Sequence, residues 1–160
     1  MEPDDVTRVV TLVHELAEYE REPESCRLTA GQLHAALFGP APALFGHVAV
    51  AGGEVVGCAL WFLNFSTWEG VHGIYLEDLY VRPAARGAGV GRDLMGTLAG
   101  ICLDRGYRRL DWWVLRWNPA RDFYAALGAR GLDEWVPYRI EADALRRLAE
   151  PGPAVPIAGA

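Results

Sequence analysis

A buried strand, a glycine-rich turn and an amphipathic helix follow one another within residues 74–110. The apolar run at residues 74–81 contains two adjacent carboxylates, and Arg82-Pro83 ends it because proline cannot donate to a sheet ladder. The turn has the sequence Arg86-Gly87-Ala88-Gly89-Val90-Gly91, after which apolar residues recur at helical spacing. Such a turn directs several backbone N–H groups at one point, where the helix dipole adds positive partial charge. This stretch therefore predicts a phosphate-binding site.

The spacing within the turn separates several classes of phosphate-binding motif. The dinucleotide fingerprint G-x-G-x-x-G is broken because Arg92 stands three residues after Gly89, and a P-loop is excluded because the chain contains no lysine. The spacing that remains is R-x-x-G-x-G, formed by Arg86, Gly89 and Gly91. It resembles the pyrophosphate-binding motif of the GCN5-related N-acetyltransferase (GNAT) superfamily. An ordinary glycine-rich β–α turn is the alternative interpretation.

Length and composition favour one globular domain. With 160 residues, of which 51% are hydrophobic, we expect a single domain over residues 1–150. Residues 151–160 contain three prolines, two glycines and no charge, which predicts a disordered tail. The absence of an apolar run of ~20 residues and the acidic N-terminus predict a soluble, cytoplasmic protein without a membrane partner. A net charge of -6 argues against nucleic acid as a partner.

No metal or disulfide is expected. Cys26, Cys58 and Cys102 form no C-x-x-C pair, and we interpret them as buried thiols. The sequence His14-Glu15-x-x-Glu18 lacks the second histidine of a zinc-binding H-E-x-x-H motif.

The order of predicted elements gives an α/β (α+β) fold with a mixed, largely antiparallel sheet and helices on both faces. The strands at residues 73–81 and 109–115 should run parallel, because a helix crosses between them. A capping box at Thr29 and Gln32 begins the second helix, and Gly52-Gly53 predicts a hairpin. The predicted helices are residues 4–20, 29–38, 89–105, 118–127 and 142–149, and the predicted strands are 47–51, 55–65, 73–81, 109–115 and 135–140.

Several blocks together resemble the diamine (spermidine/spermine) acetyltransferase branch of the GNAT superfamily, over residues 4–148. The resemblance implies a V-shaped splay between the fourth and fifth family strands. The family opens with a strand before its first helix, but here the first helix begins almost at Met1, so that this strand is missing or the true start lies upstream. The matching blocks are Glu15-Leu16-Ala17-Glu18-Tyr19-Glu20, Tyr75-Leu76-Glu77-Asp78-Leu79-Tyr80-Val81, Arg86 to Gly91, Trp117-Asn118 and Phe123-Tyr124-x-x-x-Gly128-Ala129.

The resemblance also implies acetyl-CoA as co-substrate, held in the splay. Its pantetheine would pair with backbone groups of Leu79 and Val81, and an N–H near Leu79 or Tyr80 would polarise the thioester carbonyl. Asn118 belongs to the same implied site. The residues implied to hold the pyrophosphate are Arg86, Gly87, Ala88, Gly89, Val90, Gly91 and Arg92.

The implied chemistry is direct attack of an amine on the thioester. Tyr124 matches the general acid that protonates the departing thiolate, with simple packing of its ring as the alternative. Glu77 would accept the amine proton, directly or through water. Asp78 should point to the opposite strand face unless a bulge intervenes, so that one of the two carboxylates is structural.

The implied acceptor site contains Tyr19, Glu20, Glu77, Asp78, Asp133 and Trp135. For Asp133 the alternative is a solvated loop. Arg116 stands where the family branch carries an acidic residue. We therefore expect an acceptor with one amine and one acid group, as in lysine analogues, unless Arg116 pairs instead with Asp111, Asp133 or Glu134.

The sequence predicts an N-acetyltransferase for a small-molecule amine, either a diamine or polyamine or a lysine-like amino acid. A homodimer is also expected, because the resemblance implies one and the missing strand leaves apolar surface to cover. Two alternatives remain. One is a non-catalytic acyl-CoA-binding or regulatory module with the same fold, and the other is a nucleotide-binding protein in which Asp111 follows the glycine turn.

Overall fold

A four-stranded mixed sheet lies between two layers of helices in this computed structural model, which describes residues 1–150. The tail predicted for residues 151–160 lies outside the described residues. The helices are α1 (Val6–Tyr19), α2 (Ala30–Phe38), α3 (Val90–Asp104), α4 (Ala120–Ala126) and α5 (Ala142–Ala149). The strands are β1 (Phe45–Ala51), β2 (Glu54–Ser66), β3 (Val71–Val81) and β4 (Leu110–Asp111).

The sheet has the order β1-β2-β3-β4. Strands β1 and β2 are antiparallel across a hairpin whose Gly52 and Gly53 have positive φ angles of 58° and 84°, which confirms the predicted turn. β2 and β3 are also antiparallel, whereas β3 and β4 are parallel because α3 crosses between them. The mixed, largely antiparallel topology is therefore confirmed.

A bulge interrupts the pairing of β2 with β3. Asp78 lies opposite Leu60 and Leu76 lies opposite Trp61, so that Glu77 is the extra residue of β3. Cross-strand partners share a sheet face, and Leu60 and Trp61 face opposite sides. The Asp78 side chain therefore lies on the α1 side of the sheet, although simple alternation from Leu76 would put it on the α3 side.

Each face of the sheet has its own hydrophobic core. The first core lies between the sheet and helices α1 and α2, and the second lies beneath α3. The bidentate ion pair between Arg82 and Glu15, at 2.8 Å, fixes α1 against the end of β3. The buried residues of the first core are Val6, Val9, Leu12, Leu33, Leu37, Val55, Cys58, Leu60 and Tyr80. Those of the second are Ala59, Trp61, Ile74, Leu76, Leu94, Met95, Leu98 and Cys102.

The helical ends follow the predicted capping signals. A 3-10 turn at Pro3–Asp5 leads into α1, and no strand precedes it in the described chain, as the sequence indicates. The Thr29 side chain accepts from the Gln32 N–H, and the Gln32 side chain accepts from the Thr29 N–H, so the capping box is confirmed. No helix within residues 1–150 is long and apolar enough to cross a membrane.

Two strand predictions are wrong in part or in full. The strand expected at residues 109–115 is paired only at Leu110–Asp111, and the strand expected at residues 135–140 does not form in the described chain. Aromatic and β-branched residues favour a strand only where a neighbouring strand supplies hydrogen bonds and a packing surface. The described chain supplies neither to residues 112–115 or 135–140, and Trp135 and Tyr138 are 69% and 91% exposed.

Candidate functional site

The glycine turn between β3 and α3 has the geometry of an N–H cradle. A 3-10 turn at Pro83–Ala85 leads into it, and Gly87 and Gly89 have φ angles of 80° and 89°. L side chains rarely adopt such angles, which explains glycine at both positions. Gly89 is the N-cap of α3 and no side chain caps the helix there, so the N–H groups of its first turn point out of the turn without a side-chain acceptor.

Gly91 serves a different purpose from the other two glycines. A Cβ atom at this position would lie 3.3 Å from Cζ of Phe123, closer than ordinary packing allows. Hydrogen at this position therefore lets the first turn of α3 approach α4, the helix that carries Tyr124. In this motif, Gly87 and Gly89 are therefore required by the backbone conformation of the turn, and Gly91 is required by the close packing of α3 against α4.

Beyond its pairing with β4, strand β3 has a free edge. The Arg82 N–H donates to the Val56 carbonyl at 2.9 Å, so the alternate residues Leu79 and Val81 direct their backbone groups away from β2. Strand β4 pairs only with Ile74 and Tyr75, and in the described chain no strand reaches that part of the edge. The edge is open to an extended molecule that presents amide groups.

Arg86 connects this edge to the end of α1. Its Nε–H donates to the Val81 carbonyl at 2.8 Å. Its guanidinium carbon lies 5.1 Å from the ring centre of Tyr19 and 5.6 Å from that of Tyr80, within cation–π range. The side chain therefore covers one of the backbone acceptors of the free edge.

Three carboxylates gather where the bulge in β3 meets the end of α1. The pKa of Asp78 rises from 3.8 to about 7, first because the side chain is buried and then because Glu77 and Glu20 are negative. Burial also raises the pKa of Glu20, which caps the C-terminus of α1. Within residues 1–150 no arginine forms an ion pair with any of the three. The cluster carries uncompensated negative charge, which favours a cationic ligand.

Tyr124 projects from α4 and is held by aromatic neighbours. Its ring centre lies 4.8 Å from that of Trp112 and 5.2 Å from that of Phe123. Burial raises its pKa to about 12, and the charge of Glu20 adds to the rise. Glu20 thus acts on both Asp78 and Tyr124. The phenol stays protonated at every physiological pH, as a proton donor requires.

Asn118 fastens the start of α4 to α1. Its side chain is buried, and its Oδ1 accepts from the Ala120 N–H at 2.9 Å and from the Tyr19 hydroxyl at 3.4 Å. Tyr19 also packs against Trp117, with ring centres 6.3 Å apart. These contacts orient the short helix that carries Tyr124. The ligand-binding roles predicted for Asn118 and Tyr19 stay predictions.

Three residues of the predicted acceptor site form no ion pair with the carboxylate cluster in the part of the chain that the structure describes. Arg116 is exposed, and in the described chain it pairs with none of the acids considered for it. Asp111 pairs instead with Arg109 at 3.0 Å. Asp133 and Trp135 lie in the exposed segment of residues 130–141, which makes no described hydrogen bond to residues 1–129.

Two contacts near the site escaped sequence reasoning. The ion pair between Glu15 and Arg82 joins residues 67 positions apart, and nothing in a single sequence signals it. Trp112, which packs on Tyr124, lies in the aromatic run Asp111-Trp112-Trp113. From the sequence, that run predicted only a strand. The position of α4 in the structure shows that Trp112, and not Trp113, packs against Tyr124.

Known proteins resemble this chain in sequence and in fold. The profile of the Acetyltransferase (GNAT) family matches residues 9–129. A thialysine N-epsilon-acetyltransferase from Bos taurus is 40% identical over 157 residues, covering 91% of this chain and 92% of the relative. A Caenorhabditis elegans protein of the same description is 34% identical, covering 92% and 93%. Among solved structures, an integron cassette protein from the mobile metagenome of V. cholerae matches with a TM-score of 0.77 at 29% identity, covering 94% of this chain and 95% of that chain.

Proposed function

This chain belongs to the Acetyltransferase (GNAT) family, and we propose that it moves the acetyl group of acetyl-CoA directly to a primary amine of a small molecule. Its family and its relatives make it an N-acetyltransferase, and the family implies acetyl-CoA as the co-substrate. The observation that carries the proposal is the uncompensated group of Glu20, Glu77 and Asp78 close to a protonated Tyr124. An ammonium group supplies the missing positive charge.

The free edge of β3 suits the pantetheine of acetyl-CoA, and the glycine turn suits its pyrophosphate. The backbone groups of Leu79 and Val81 would pair with the amides of the pantetheine, and Arg86 would release the Val81 carbonyl to do so. The uncapped N–H groups around Gly89 would hold the pyrophosphate, since a helix N-terminus favours negative charge. The thioester would then lie between the bulge in β3 and Tyr124.

The residues of the site have complementary roles in this reaction. The carboxylates bind the ammonium and remove one proton, so that a neutral amine attacks the thioester carbon. Backbone N–H groups near Leu79 or Tyr80 stabilise the developing oxyanion. Tyr124 donates its proton to the thiolate as the C–S bond breaks and regains a proton from the new amide nitrogen. No covalent bond to the enzyme forms.

A lysine-like amino acid fits the acceptor better than a polyamine does. Two of the relatives are described as thialysine N-epsilon-acetyltransferases, and thialysine, a lysine analogue, carries a side-chain amine at one end and an α-carboxylate beside its α-amino group at the other. Arg116 has no ion-pair partner in the described chain, so its guanidinium is available for the acid end. The same guanidinium would repel the additional positive charges of a polyamine.

The segment of residues 130–141 supports a homodimer. Trp135, Val136 and Tyr138 are 69%, 68% and 91% exposed, a concentration of apolar surface that a monomer rarely leaves in water. A second copy of the chain would cover this surface. The acceptor roles proposed for Asp133 and Trp135 depend on where such an interface positions the segment.

A CoA-release assay tests the proposed activity. Purified protein and acetyl-CoA are combined with a thialysine-type lysine analogue, lysine, ornithine, putrescine, spermidine and an amino sugar, and free thiol is measured. We expect turnover with primary amines and the highest kcat/KM with the lysine analogue. Tyr124→Phe provides the matched control for release that is not enzymatic. Tight CoA binding without turnover on any amine would favour the binding module instead.

A further inference from the structure

Three aromatic side chains form a cluster that belongs to neither hydrophobic core. The ring of Phe62 stacks on that of its cross-strand neighbour Tyr75, with ring centres 4.9 Å apart. The ring of Trp113 meets that of Tyr75 at 6.1 Å, with their planes at 86°. Trp113 is 62% exposed, and Phe62 and Tyr75 are partly exposed. We call these three residues the aromatic floor.

The aromatic floor lies on the α1 side of the sheet. Phe62 follows Leu60 by two residues in β2, so their side chains point to the same face, and Leu60 is buried in the core beneath α1. Tyr75 shares that face because it is the cross-strand partner of Phe62. The aromatic floor therefore continues the α1 face beyond the core that α1 and α2 cover.

Two neighbouring tryptophans follow the end of β4 at Asp111 and lie on opposite sides of the sheet. Trp112 packs against Tyr124 on the α3 side, with ring centres 4.8 Å apart. Trp113 belongs to the aromatic floor on the α1 side. In the proposed reaction, α3 and Tyr124 lie on one side of the thioester. An acceptor amine that reaches the thioester from the other side passes the aromatic floor.

The aromatic floor is also next to the carboxylate cluster. Tyr75 precedes Glu77 by two residues in β3, which puts their Cα atoms roughly 7 Å apart at ~3.3 Å per residue. At ~1.5 Å per carbon–carbon bond, a chain of about two or three carbons joins an ammonium beside Glu77 to a group on the aromatic floor. The spacing thus fits a short alkyl linker.

The charge at the border of the aromatic floor is compensated within the protein. Asp111, the β4 partner of Tyr75, pairs with Arg109 at 3.0 Å and accepts from the Asn64 side-chain amide at 3.0 Å. A neutral group therefore suits this surface better than a second ammonium or a carboxylate does. Because the planes of Trp113 and Tyr75 are nearly perpendicular, a ring stacked on the indole is edge-on to the phenol. Aromatic rings favour both arrangements.

We propose that the aromatic floor binds the aryl group of a further class of acceptor, arylalkylamines in which two or three carbons separate a primary amine from the ring. This proposal rests on the proposed acetyl transfer and adds an acceptor class to it. The carboxylate cluster holds the ammonium in both classes. The far end of a lysine analogue goes to Arg116, and the aryl group goes to the aromatic floor.

The reaction of an arylalkylamine balances in the same way as that of a lysine analogue. The ammonium loses one proton to a carboxylate, the neutral amine forms the N–C bond, and the C–S bond of the thioester breaks. Tyr124 protonates the thiolate and regains a proton from the new amide nitrogen. The products are the N-acetylated arylalkylamine, CoA with a free thiol, and one proton that passes to solvent.

The test compares phenethylamine with cyclohexylethylamine, two amines of similar size and basicity that differ in the aromaticity of the ring. The kcat/KM of each is measured by CoA release at saturating acetyl-CoA. The wild type should prefer phenethylamine by ~3–10-fold, because of the stacking and edge contacts. Trp113→Leu, which keeps an apolar side chain, should bring this ratio to about one, and Trp113→Phe should retain most of it. Trp68→Leu, the same substitution at a tryptophan that is 90% exposed between β2 and β3, should keep the wild-type ratio.

Calorimetry separates the aryl site from the acetyl transfer. Each amine is titrated into protein saturated with CoA, where no transfer occurs, and unchanged CoA affinity shows that a variant is folded. Phenethylamine should bind the wild type more tightly than cyclohexylethylamine and should lose this advantage in Trp113→Leu. Equal kcat/KM and equal affinity for the two amines in the wild type, or a preference that survives Trp113→Leu, would overturn the proposal.

Two other outcomes are also decisive. If a second copy of the chain covers the aromatic floor, the wild type shows no phenyl preference and Trp113→Leu dissociates the dimer in sedimentation, which overturns the aryl site. If the wild type acetylates no amine, the proposed function fails. In that case a calorimetric preference for phenethylamine that Trp113→Leu removes still supports the aryl site, and the absence of this preference overturns it.

Discussion

Replacement of Asp78 by asparagine should stabilise the protein, although it removes a functional group. Asparagine has nearly the shape of aspartic acid but never carries its charge. In the folded chain the pKa of Asp78 is about 7, because of burial and of the negative Glu77 and Glu20, while an unfolded aspartate titrates near ~3.9. The folded state therefore binds a proton that the unfolded state releases between these two values.

The sign and the size of the effect follow from this difference. Because the pKa is raised on folding, its contribution to stability is complete below pH ~4 and is lost as the pH rises through 7. A difference of about three pKa values corresponds to ~4 kcal/mol at 1.36 kcal/mol each. The side chain keeps some exposure to solvent, so we expect about half of this, ~2 kcal/mol, to be measured.

Urea unfolding of the protein without ligands measures the effect. The free energy of unfolding of Asp78→Asn and of the wild type is compared at pH ~3.5, below the unfolded pKa, and at pH 8. The variant should match the wild type at the lower pH and exceed it by ~2 kcal/mol at the higher pH. Glu77→Gln should show a weaker pH dependence than the wild type, and the exposed Glu24→Gln should show the same dependence as the wild type. A difference between Asp78→Asn and wild type that stays constant across this range would refute the reasoning.

Four other outcomes are expected. Tyr124→Phe should lower kcat by ~10²–10⁴-fold with acetyl-CoA affinity nearly unchanged by calorimetry, and a wild-type kcat with chemistry rate-limiting would leave the phenol only a packing role. Gly89→Val should weaken CoA binding by at least tenfold, because a β-branched residue resists a φ of 89°, and Gly106→Val, at another positive φ, controls for stability alone. Arg116→Glu should shift kcat/KM from the lysine analogue towards spermidine by ~10–100-fold, and an unmoved ratio would remove Arg116 from substrate selection. Sedimentation should give a dimer at micromolar concentration that Tyr138→Asp weakens, whereas a wild-type monomer would contradict the assigned interface.

The glycine turn, the capping box at Thr29 and the Gly52-Gly53 hairpin were predictable because their chemistry is local. A positive φ or a side-chain cap depends on residues only a few positions apart, so the sequence contains the whole cause. The overall topology followed from the order of these local elements together with the handedness of the crossover. The same locality explains why the R-x-x-G-x-G motif could be assigned to a strand–turn–helix unit.

The strand pairing was harder to predict, for a physical reason. A strand needs a neighbour, and apolar or aromatic residues at 109–115 and 135–140 signal only the tendency to find one. In this chain β4 pairs with β3 only as far as Asp111, and the free edge that results is where the proposed pantetheine contacts of Leu79 and Val81 would form. The incomplete pairing of β3 with β4 is therefore part of the proposed functional geometry. Alternation of apolar and polar residues along a strand does not indicate where its pairing stops.

The bulge at Glu77 connects the sequence signal to the chemistry. Adjacent acids in a regular strand place one side chain on each face of the sheet. Without the bulge, Asp78 would share the face of Leu76 and would be a buried charge beneath α3. The extra residue turns Asp78 to the α1 side, where burial and the negative Glu77 and Glu20 raise its pKa. Burial, with a smaller contribution from Glu20, also raises the pKa of Tyr124. Between pH 7 and pH 12 the carboxylate is ionised while the phenol is protonated, which are the forms that proton removal and thiolate protonation require. The bulge in β3 thus helps to set the lower limit of this pH range, and burial of the Tyr124 phenol sets the upper one.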